Sequence, residues 1–253
     1  GVNQHNGEGL SQKSQKHYLT FISDVMTYAI RCGLITDNPC RNVITVKTEK
    51  KDKEIYSTEE IVELLEDLNE NAPMNYHVFF HLLIFYGLRK GEALGLEWKD
   101  IDFDNQTLSI NRTSNYRNHR TGTYTGTPKT KSSRRILKIS ADTVRLLQLY
   151  QFEEHEQMVN CGDQWQDTDR LFIKWNGEPM HPNTPYTWLE RFCEARELAF
   201  KGLHAFRHAY ATTAITSNQI DIKTISAVLG HSETSTTLNI YAHEVAAANA
   251  RAV

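Results

Sequence analysis

Cysteine is scarce in this 253-residue sequence, and its four cysteines do not form pairs. Cys32, Cys40, Cys161 and Cys193 are scattered without a C-x-x-C motif. Their spacing argues against a disulfide framework or a structural zinc site and favours a reducing compartment. No apolar run approaches the roughly 18–20 residues that a membrane span needs. The first 16 residues are polar and contain no signal-peptide core. We therefore expect a cytoplasmic protein with no membrane contact.

Acidic residues are missing from one long stretch, although the net charge of the whole chain is −3. Between Asn105 and Lys138 there is no Asp or Glu. A basic run is often only a solvated surface, but this one is long and is interleaved with Tyr116 and Tyr124, which favours contact with a polyanion. The side chains of this run that could contact the backbone of a polyanion such as DNA are Arg112, Arg117, Arg120, Lys131, Arg134 and Arg135.

The apolar periodicity predicts a mostly helical protein. Residues 11–34 have helical spacing with Gly33 as a stop, and the charged stretch 46–54 is typical of a linker. Ser57 and Glu60 form a capping box that opens a helix to about residue 68, and an apolar helix over 75–87 is closed by Gly87. Further helices are predicted at about 141–158, 183–199, 204–217, 221–229 and 234–248.

Two short segments alternate as strands do, at 106–113 and 134–139. The stretch GTYTGTPKTKSS between them, residues 122–133, has the composition of turns. We therefore expect a mainly α fold with a small antiparallel β-sheet (α+β). Residues 1–45 are the predicted end of a helical domain, and residues 55–253 form the second domain with its C-terminal tail.

The stretch GLHAFRHAYATT, residues 202–213, combines two histidines and an arginine. His204 and His208 are four apart and share a helix face, so they could bind zinc, but no third ligand or H-E-x-x-H glutamate accompanies them. His204 and Arg207 could also pair with nearby carboxylates. Donors without an adjacent acid suit a phosphate, which arginine grips with two hydrogen bonds.

Other segments bring these residues into a recognisable order. Arg89 lies in GLRKGEALGLEWKDID, Lys129 in TPKTKSSRRILKI, His231 in LGH and Tyr241 in TTLNIYAH. With His204 and Arg207, this series resembles the tyrosine recombinases, the phage-integrase type of site-specific DNA recombinase, and most closely the integrases of phages and conjugative transposons. Residues 28–43 resemble the end of the family's core-site DNA-binding domain. That domain is longer in the family than the part present here, and an arm-site-binding domain is absent, so we expect a fragment of a longer chain.

The resemblance implies that Tyr241 attacks a DNA phosphate and forms a 3′-phosphotyrosine. It gives His204 the role of base or proton shuttle, Arg89 and Arg207 that of clamping the phosphate oxygens, and His231 that of a further donor. Lys129 is the implied general acid, with Lys131 as the alternative. Glu92 either supports Arg89 through an ion pair or is an ordinary helix-surface acid.

The resemblance also sets the expected partners. They are double-stranded DNA recombination sites, a homo-tetramer on DNA, and a directionality factor or a host DNA-bending protein, in the bacterial nucleoid. No metal or other cofactor is expected, because the arginines would neutralise the charge. The alternatives are a type IB topoisomerase-like enzyme, a non-catalytic DNA-binding relative and, more distantly, a metal hydrolase.

Overall fold

The chain divides into two compact units, Gly1–Lys53 and Glu54–Val253. The computed structural model describes residues 9–43, 54–118, 122–126, 134–217, 221–230 and 238, with only the backbone at 117, 118 and 123. The division between the units falls within the predicted linker, residues 46–54, most of which lies outside the described residues.

The first unit is built on one helix, α1 (Gln12–Arg31). Ser11 caps its start, and Gly33 follows its end with φ of 71°, a left-handed conformation that glycine adopts without strain. The buried side-chain amide of Asn38 donates to Ser23 and Thr27 and so ties the short 3-10 turn Pro39–Asn42 to the helix. The predicted helix over 11–34 and its glycine stop are confirmed.

The second unit contains seven described α-helices and five described strands. The helices are α2 (Thr58–Asn71), α3 (Met74–Tyr86), α4 (Lys90–Ala93), α5 (Ala141–Cys161), α6 (Thr184–Ala195), α7 (Leu203–Thr216) and α8 (Ile222–Leu229). The strands are β1 (Ile101–Asp102), β2 (Thr107–Ile110), β3 (Thr113–Asn118), β4 (Gly122–Gly126) and β5 (Arg135–Lys138). The predicted capping box of Ser57 and Glu60 is present at the start of α2. The helix predicted at 234–248 lies outside the described residues except for 238.

Helix α3 lies at the centre of this unit because it is apolar on all sides. Phe79 and Phe80 are fully buried, and α3 packs against α7 and α5. Phe79 contacts Phe172 edge to face, with ring centroids 5.0 Å apart. Gly87 ends the helix in the left-handed conformation, with φ of 60°. The segment that begins at Leu88 therefore starts directly at the end of a buried helix.

The strands form two small antiparallel sheets. One has the order β1-β2-β5, with Leu108 opposite Leu137 and Ile110 opposite Arg135. The other is the hairpin β3–β4, in which Ser114 faces Thr125. The prediction that residues 122–133 are turns is wrong for 122–126, because these residues pair with β3 as a strand. The mainly α fold with a small antiparallel sheet is confirmed. No helix in the described part of the chain is long and apolar enough to cross a membrane.

Candidate active site

Helix α7 holds two of the predicted site residues one turn apart. Leu203, Ala205 and Phe206 are buried, so this part of α7 is anchored in the core. His204 is exposed, whereas Arg207 is only 3% exposed. Their spacing of three residues places both side chains on one side of the helix.

Arg207 is fixed by the backbone at two helix ends. Its Nη1 donates to the carbonyl of Gly87 at 2.7 Å, and its Nη2 donates to the carbonyl of Leu229. Both carbonyls lie at helix C-termini, where the helix dipole favours a cation. Burial, and then the charge of Arg89, lower the pKa of Arg207 to about 9, which still leaves the guanidinium charged at neutral pH.

Arg89, which is far from Arg207 in the sequence, also binds a carbonyl at the C-terminal end of α8. It is the residue before α4, and its Nη2 donates to the carbonyl of Gly230 at 3.0 Å. Arg89 and Arg207 therefore bind the carbonyls of two consecutive residues, Leu229 and Gly230, at the end of α8. The Arg89 side chain is 37% exposed, so this guanidinium is open to an incoming anion.

Glu92 is buried between two arginines and is not an ordinary surface acid. Arg89 donates to it from Nη1 at 2.6 Å and from its backbone N–H at 2.9 Å. Arg135 donates to it from Nη1 at 3.1 Å and Nη2 at 2.9 Å. Burial alone would raise the pKa of Glu92, but the hydrogen bonds and charge of Arg135, and then those of Arg89, outweigh it and lower that pKa. Glu92 is therefore ionised and holds Arg89 through an ion pair.

Two glycines press the Arg89 segment against the hairpin. A Cβ on Gly91 would lie 2.5 Å from the Thr113 hydroxyl and 3.0 Å from the carbonyl of Ser114. A Cβ on Gly95 would lie 2.9 Å from the carbonyl of Arg112. No larger side chain fits at either position without a shift of the backbone, so the sequence KGEALG fixes the distance between Arg89 and β3.

Two arginines that the sequence predicts as DNA contacts form ion pairs with acids of this chain. Arg112 forms ion pairs with Asp100 and Glu97, the latter at 3.0 Å, and its side chain is mostly buried. Arg135 is buried against Glu92. Internal carboxylates already pair with both guanidinium groups, so each has a structural role, and the DNA contacts expected of these two residues stay a prediction.

The remaining predicted residues are divided between surface and undescribed segments. Arg134 is exposed, as a DNA contact requires. Only the backbone of Arg117, in β3, is described. Arg120, Lys129, Lys131, His231 and Tyr241 lie outside the described residues, although His231 follows Gly230 directly in the sequence.

The two histidines of α7 are the pair whose spacing could suit zinc. The rings of His204 and His208 lie 4.7 Å apart, edge to face. Among the residues that the structure describes, no group of three His, Cys, Asp or Glu side chains is placed to hold a metal ion. The charged groups described at this end of α7 include the guanidiniums of Arg89 and Arg207, which suit an anion.

Sequence reasoning missed the structural role of Arg135 and the backbone acceptors of the arginines. A signal for Arg135 was present, because alternation along β5 puts it on the same face as the buried Leu137 and Ile139. The glycine stops at Gly87 and Gly230 marked helix ends, where unpaired carbonyls accept hydrogen bonds. Nothing in the sequence paired those carbonyls with Arg207 and Arg89.

Comparison with known proteins shows the family of this chain. Residues 54–247 match the model of the phage integrase family. The XerC-like tyrosine recombinase of Caldanaerobacter subterraneus is 29% identical, with 94% of this chain and 64% of the relative covered. The integrase of ICEBs1 from Bacillus subtilis is 27% identical, with 93% and 62% covered. The chain thus spans less than two thirds of the length of these relatives.

Solved structures share the fold. The integrase of transposon Tn1549, solved in complex with a circular intermediate DNA, has a TM-score of 0.76 at 22% identity, covering 97% of this chain and 81% of that one. A lambda integrase dimer bound to a core site has a TM-score of 0.60 at 18% identity, with 91% and 74% covered. At these identities the likeness shows the fold.

Proposed function

Because this chain belongs to the phage integrase family, we propose that it is the catalytic part of a site-specific DNA recombinase that works through a covalent phosphotyrosine. The observation that carries the proposal is the convergence of Arg89 and Arg207 on the consecutive carbonyls of Leu229 and Gly230. Residues more than 100 positions apart supply two cations to one point, and His204 extends from the same helix as Arg207. Such a cluster suits a phosphodiester.

Tyr241 is the proposed nucleophile. A tyrosine hydroxyl has a reference pKa near 10 and is neutral at cell pH, so it needs a proton acceptor when it attacks. His204 fits that role because its side chain is exposed and lies one turn from Arg207 on α7, and histidine is the side chain that most often transfers protons in enzymes. The attack forms a 3′-phosphotyrosine and releases a 5′-hydroxyl, so the bond energy is kept for rejoining.

The arginines stabilise the charge that develops on the non-bridging oxygens. Among the described residues, two of the five N–H groups of Arg89 donate to this chain, from Nη1 to Glu92 and from Nη2 to Gly230, which leaves donors for a phosphate. Arg207 and His231 complete the set. One preorganised donor contributes roughly 3–4 kcal/mol, so these three groups supply on the order of 10 kcal/mol. That amount lies within the range of about 8–23 kcal/mol that enzymes provide.

Lys129 is the proposed general acid for the departing 5′-oxygen, and Lys131 is the alternative two positions away. A 5′-hydroxyl from a partner duplex then attacks the phosphotyrosine and reseals the strand. Arg134, exposed beside β5, is a proposed DNA-backbone contact, as are Arg117, Arg120 and Lys131.

The proposed biological role is integration or excision of a mobile element. The relatives support it through their own names, which include an ICEBs1 integrase and a Tn1549 transposon integrase. Recombination exchanges strands between two duplexes, so we propose a homo-tetramer on double-stranded DNA. A directionality factor and a host DNA-bending protein are the proposed accessory partners.

The test is capture of the covalent intermediate. The protein is incubated in EDTA with a pool of nicked duplexes of randomised sequence, and DNA attached to protein after SDS is recovered and sequenced. We expect an SDS-stable adduct that Tyr241→Phe abolishes while DNA binding remains. Tyr186→Phe, which removes the hydroxyl of an exposed tyrosine of the same unit, is the matched control and should keep the adduct.

Three outcomes would redirect the proposal. An adduct that survives in Tyr241→Phe would place the nucleophile elsewhere. Relaxation of supercoiled plasmid without strand exchange between two labelled duplexes would identify a topoisomerase-like enzyme. Complete absence of adduct from the unmodified protein, with DNA binding intact, would favour a non-catalytic relative.

A further inference from the structure

Arg135 lies on strand β5 with its side chain buried, and its guanidinium forms an ion pair with Glu92. Strand β5 pairs with β2, and Arg135 stands opposite Ile110. The side chains of Arg135 and Glu92 are 7% and 4% exposed, and their closest atoms, Nη2 and Oε2, are 2.9 Å apart. Both Nη atoms of Arg135 donate to the carboxylate, one to each oxygen, which is the bidentate geometry that fixes orientation.

The Glu92 carboxylate joins two arginines in a symmetrical way. Its Oε1 accepts from the Nη1 of Arg89 and the Nη1 of Arg135. Its Oε2 accepts from the backbone N–H of Arg89 and the Nη2 of Arg135. Each oxygen therefore has one donor from each arginine, and the carboxylate can neither rotate nor shift without breaking a bond to both.

We propose that Arg135 is a positioning residue that acts through Glu92 to set the Arg89 guanidinium where it meets the scissile phosphate. The inference rests on the proposed function, because Arg89 is the phosphate contact. Arg135 itself does not touch DNA. It keeps Glu92 ionised and oriented, and Glu92 then holds the Nη1 of Arg89 while Gly230 holds its Nη2.

The charges around Glu92 determine how the loss of Arg135 would change the pKa of Glu92. Arg89 faces it from the start of α4 and Arg135 from β5, and Arg207 on α7 interacts with it through charge. Tyr210 on α7 interacts with Arg135 and Arg207. Without Arg135, burial remains and the largest pKa-lowering contact is lost, so the pKa of Glu92 rises. A protonated Glu92 is a poorer partner for Arg89.

The first experiment measures the rate of adduct formation with protein in excess over DNA, so that affinity does not limit the rate. We expect Arg135→Met to slow the step on the order of 10- to 100-fold, as displaced catalytic groups do. Arg135→Lys keeps the charge but not the two-point contact, so it should fall between Arg135→Met and the unmodified protein. Arg145→Met is the matched control, because it removes an exposed arginine paired with Asp142 in the same unit. Its rate should match that of the unmodified protein.

The pH profile separates positioning from a general loss of structure. The acid limb of the rate should move to higher pH in Arg135→Met, because Glu92 then takes up a proton more readily. A variant that is merely less well folded loses amplitude at all pH values without such a shift. An unchanged rate and an unchanged acid limb in Arg135→Met would overturn the inference.

A second experiment does not depend on catalysis. All four tryptophans, at positions 98, 165, 175 and 188, lie in the second unit, so their fluorescence follows its unfolding in urea. We expect the double variant Arg89→Met, Arg135→Met to lower the urea concentration at the unfolding midpoint, at neutral pH, by more than the sum of the decreases in the two single variants. The excess should shrink at acidic pH, where Glu92 is protonated.

The two experiments separate the two proposals. Adduct from the unmodified protein together with additive urea shifts and a normal rate in Arg135→Met would refute the positioning role and leave the recombinase function intact. No adduct from the unmodified protein would refute the function. In that case non-additive urea shifts would still support the coupling of Arg135 to Arg89, and additive shifts would overturn it.

Discussion

Replacing Gly87 with alanine tests how tightly the two arginine-bearing segments are joined. Gly87 has φ of 60°, and its carbonyl accepts a hydrogen bond from Arg207. A Cβ there would lie 2.8 Å from Cδ1 and 3.2 Å from Cγ of Tyr210, and 2.9 Å from Cδ2 of Leu229. The Leu229 methyl can rotate away, but Tyr210 can clear the added Cβ only by changing its χ1 rotamer or by a shift of α7.

Two costs add in this variant. A non-glycine residue in the left-handed region costs about 1–2 kcal/mol. Overpacking in a filled core costs about 1–3 kcal/mol more. We therefore expect Gly87→Ala to lower the free energy of unfolding by about 2–5 kcal/mol. It should also slow adduct formation, because α7 carries Arg207 and His204.

Gly122→Ala is the matched control. Gly122 has φ of 65°, and a Cβ added there would have nothing within 4 Å, so only the backbone cost of about 1–2 kcal/mol applies. The assay is urea unfolding followed by tryptophan fluorescence, with the adduct rate measured in parallel. Equal destabilisation by the two variants, or a normal adduct rate in Gly87→Ala, would refute the packing argument.

Three further variants test the exposed Arg134, the ion-paired Arg112, and His81 of α3. Arg134→Met should weaken DNA binding and reduce the slope of log affinity against log salt by about one, because an exposed phosphate contact is lost. Arg112→Met should leave that slope unchanged but lower stability by about 3–5 kcal/mol, because buried Asp100 loses its ion pair with Arg112; a flattened slope in this variant would show that Arg112 contacts DNA. Burial, and then the charge of His77, lower the pKa of His81 to about 4, below its reference value near 6.5. Stability from neutral His81 is therefore complete above pH 6.5 and is lost as the pH falls towards 4, and urea unfolding over that range should show a flatter pH dependence in His81→Gln.

The helices of the fold could be predicted from the sequence because their signals are local. The apolar run over 75–87 with its closing Gly87, and the capping box of Ser57 and Glu60, each act within a few residues. The strand at 122–126 could not be predicted in this way. Its Gly- and Thr-rich sequence has turn composition, and it becomes a strand only because β3 lies beside it.

The site likewise has some features that local sequence signals predict and others that depend on contacts between distant segments. The identities of Arg89, His204 and Arg207 follow from their sequence motifs. The sequence alone does not decide between an ion pair of Glu92 with Arg89 and a surface position, because their spacing of three residues is compatible with both. The ion pairs of Arg112 and Arg135 could not be predicted, because formal charge does not say which way a side chain points. A basic residue in a strand faces solvent or core according to its register, and the acids that receive these two guanidiniums come from residues 92, 97 and 100, which precede them in the chain.

The two glycines under Arg89 have a mechanical consequence. Where side chains meet, small displacements can be absorbed by a change of rotamer. Gly91 and Gly95 bring the main chain close to the backbone carbonyls of Ser114 and Arg112, where there is no rotamer to change. A displacement at the base of the hairpin must therefore also move the backbone that carries Arg89, while Glu92 and the carbonyl of Gly230 hold its guanidinium.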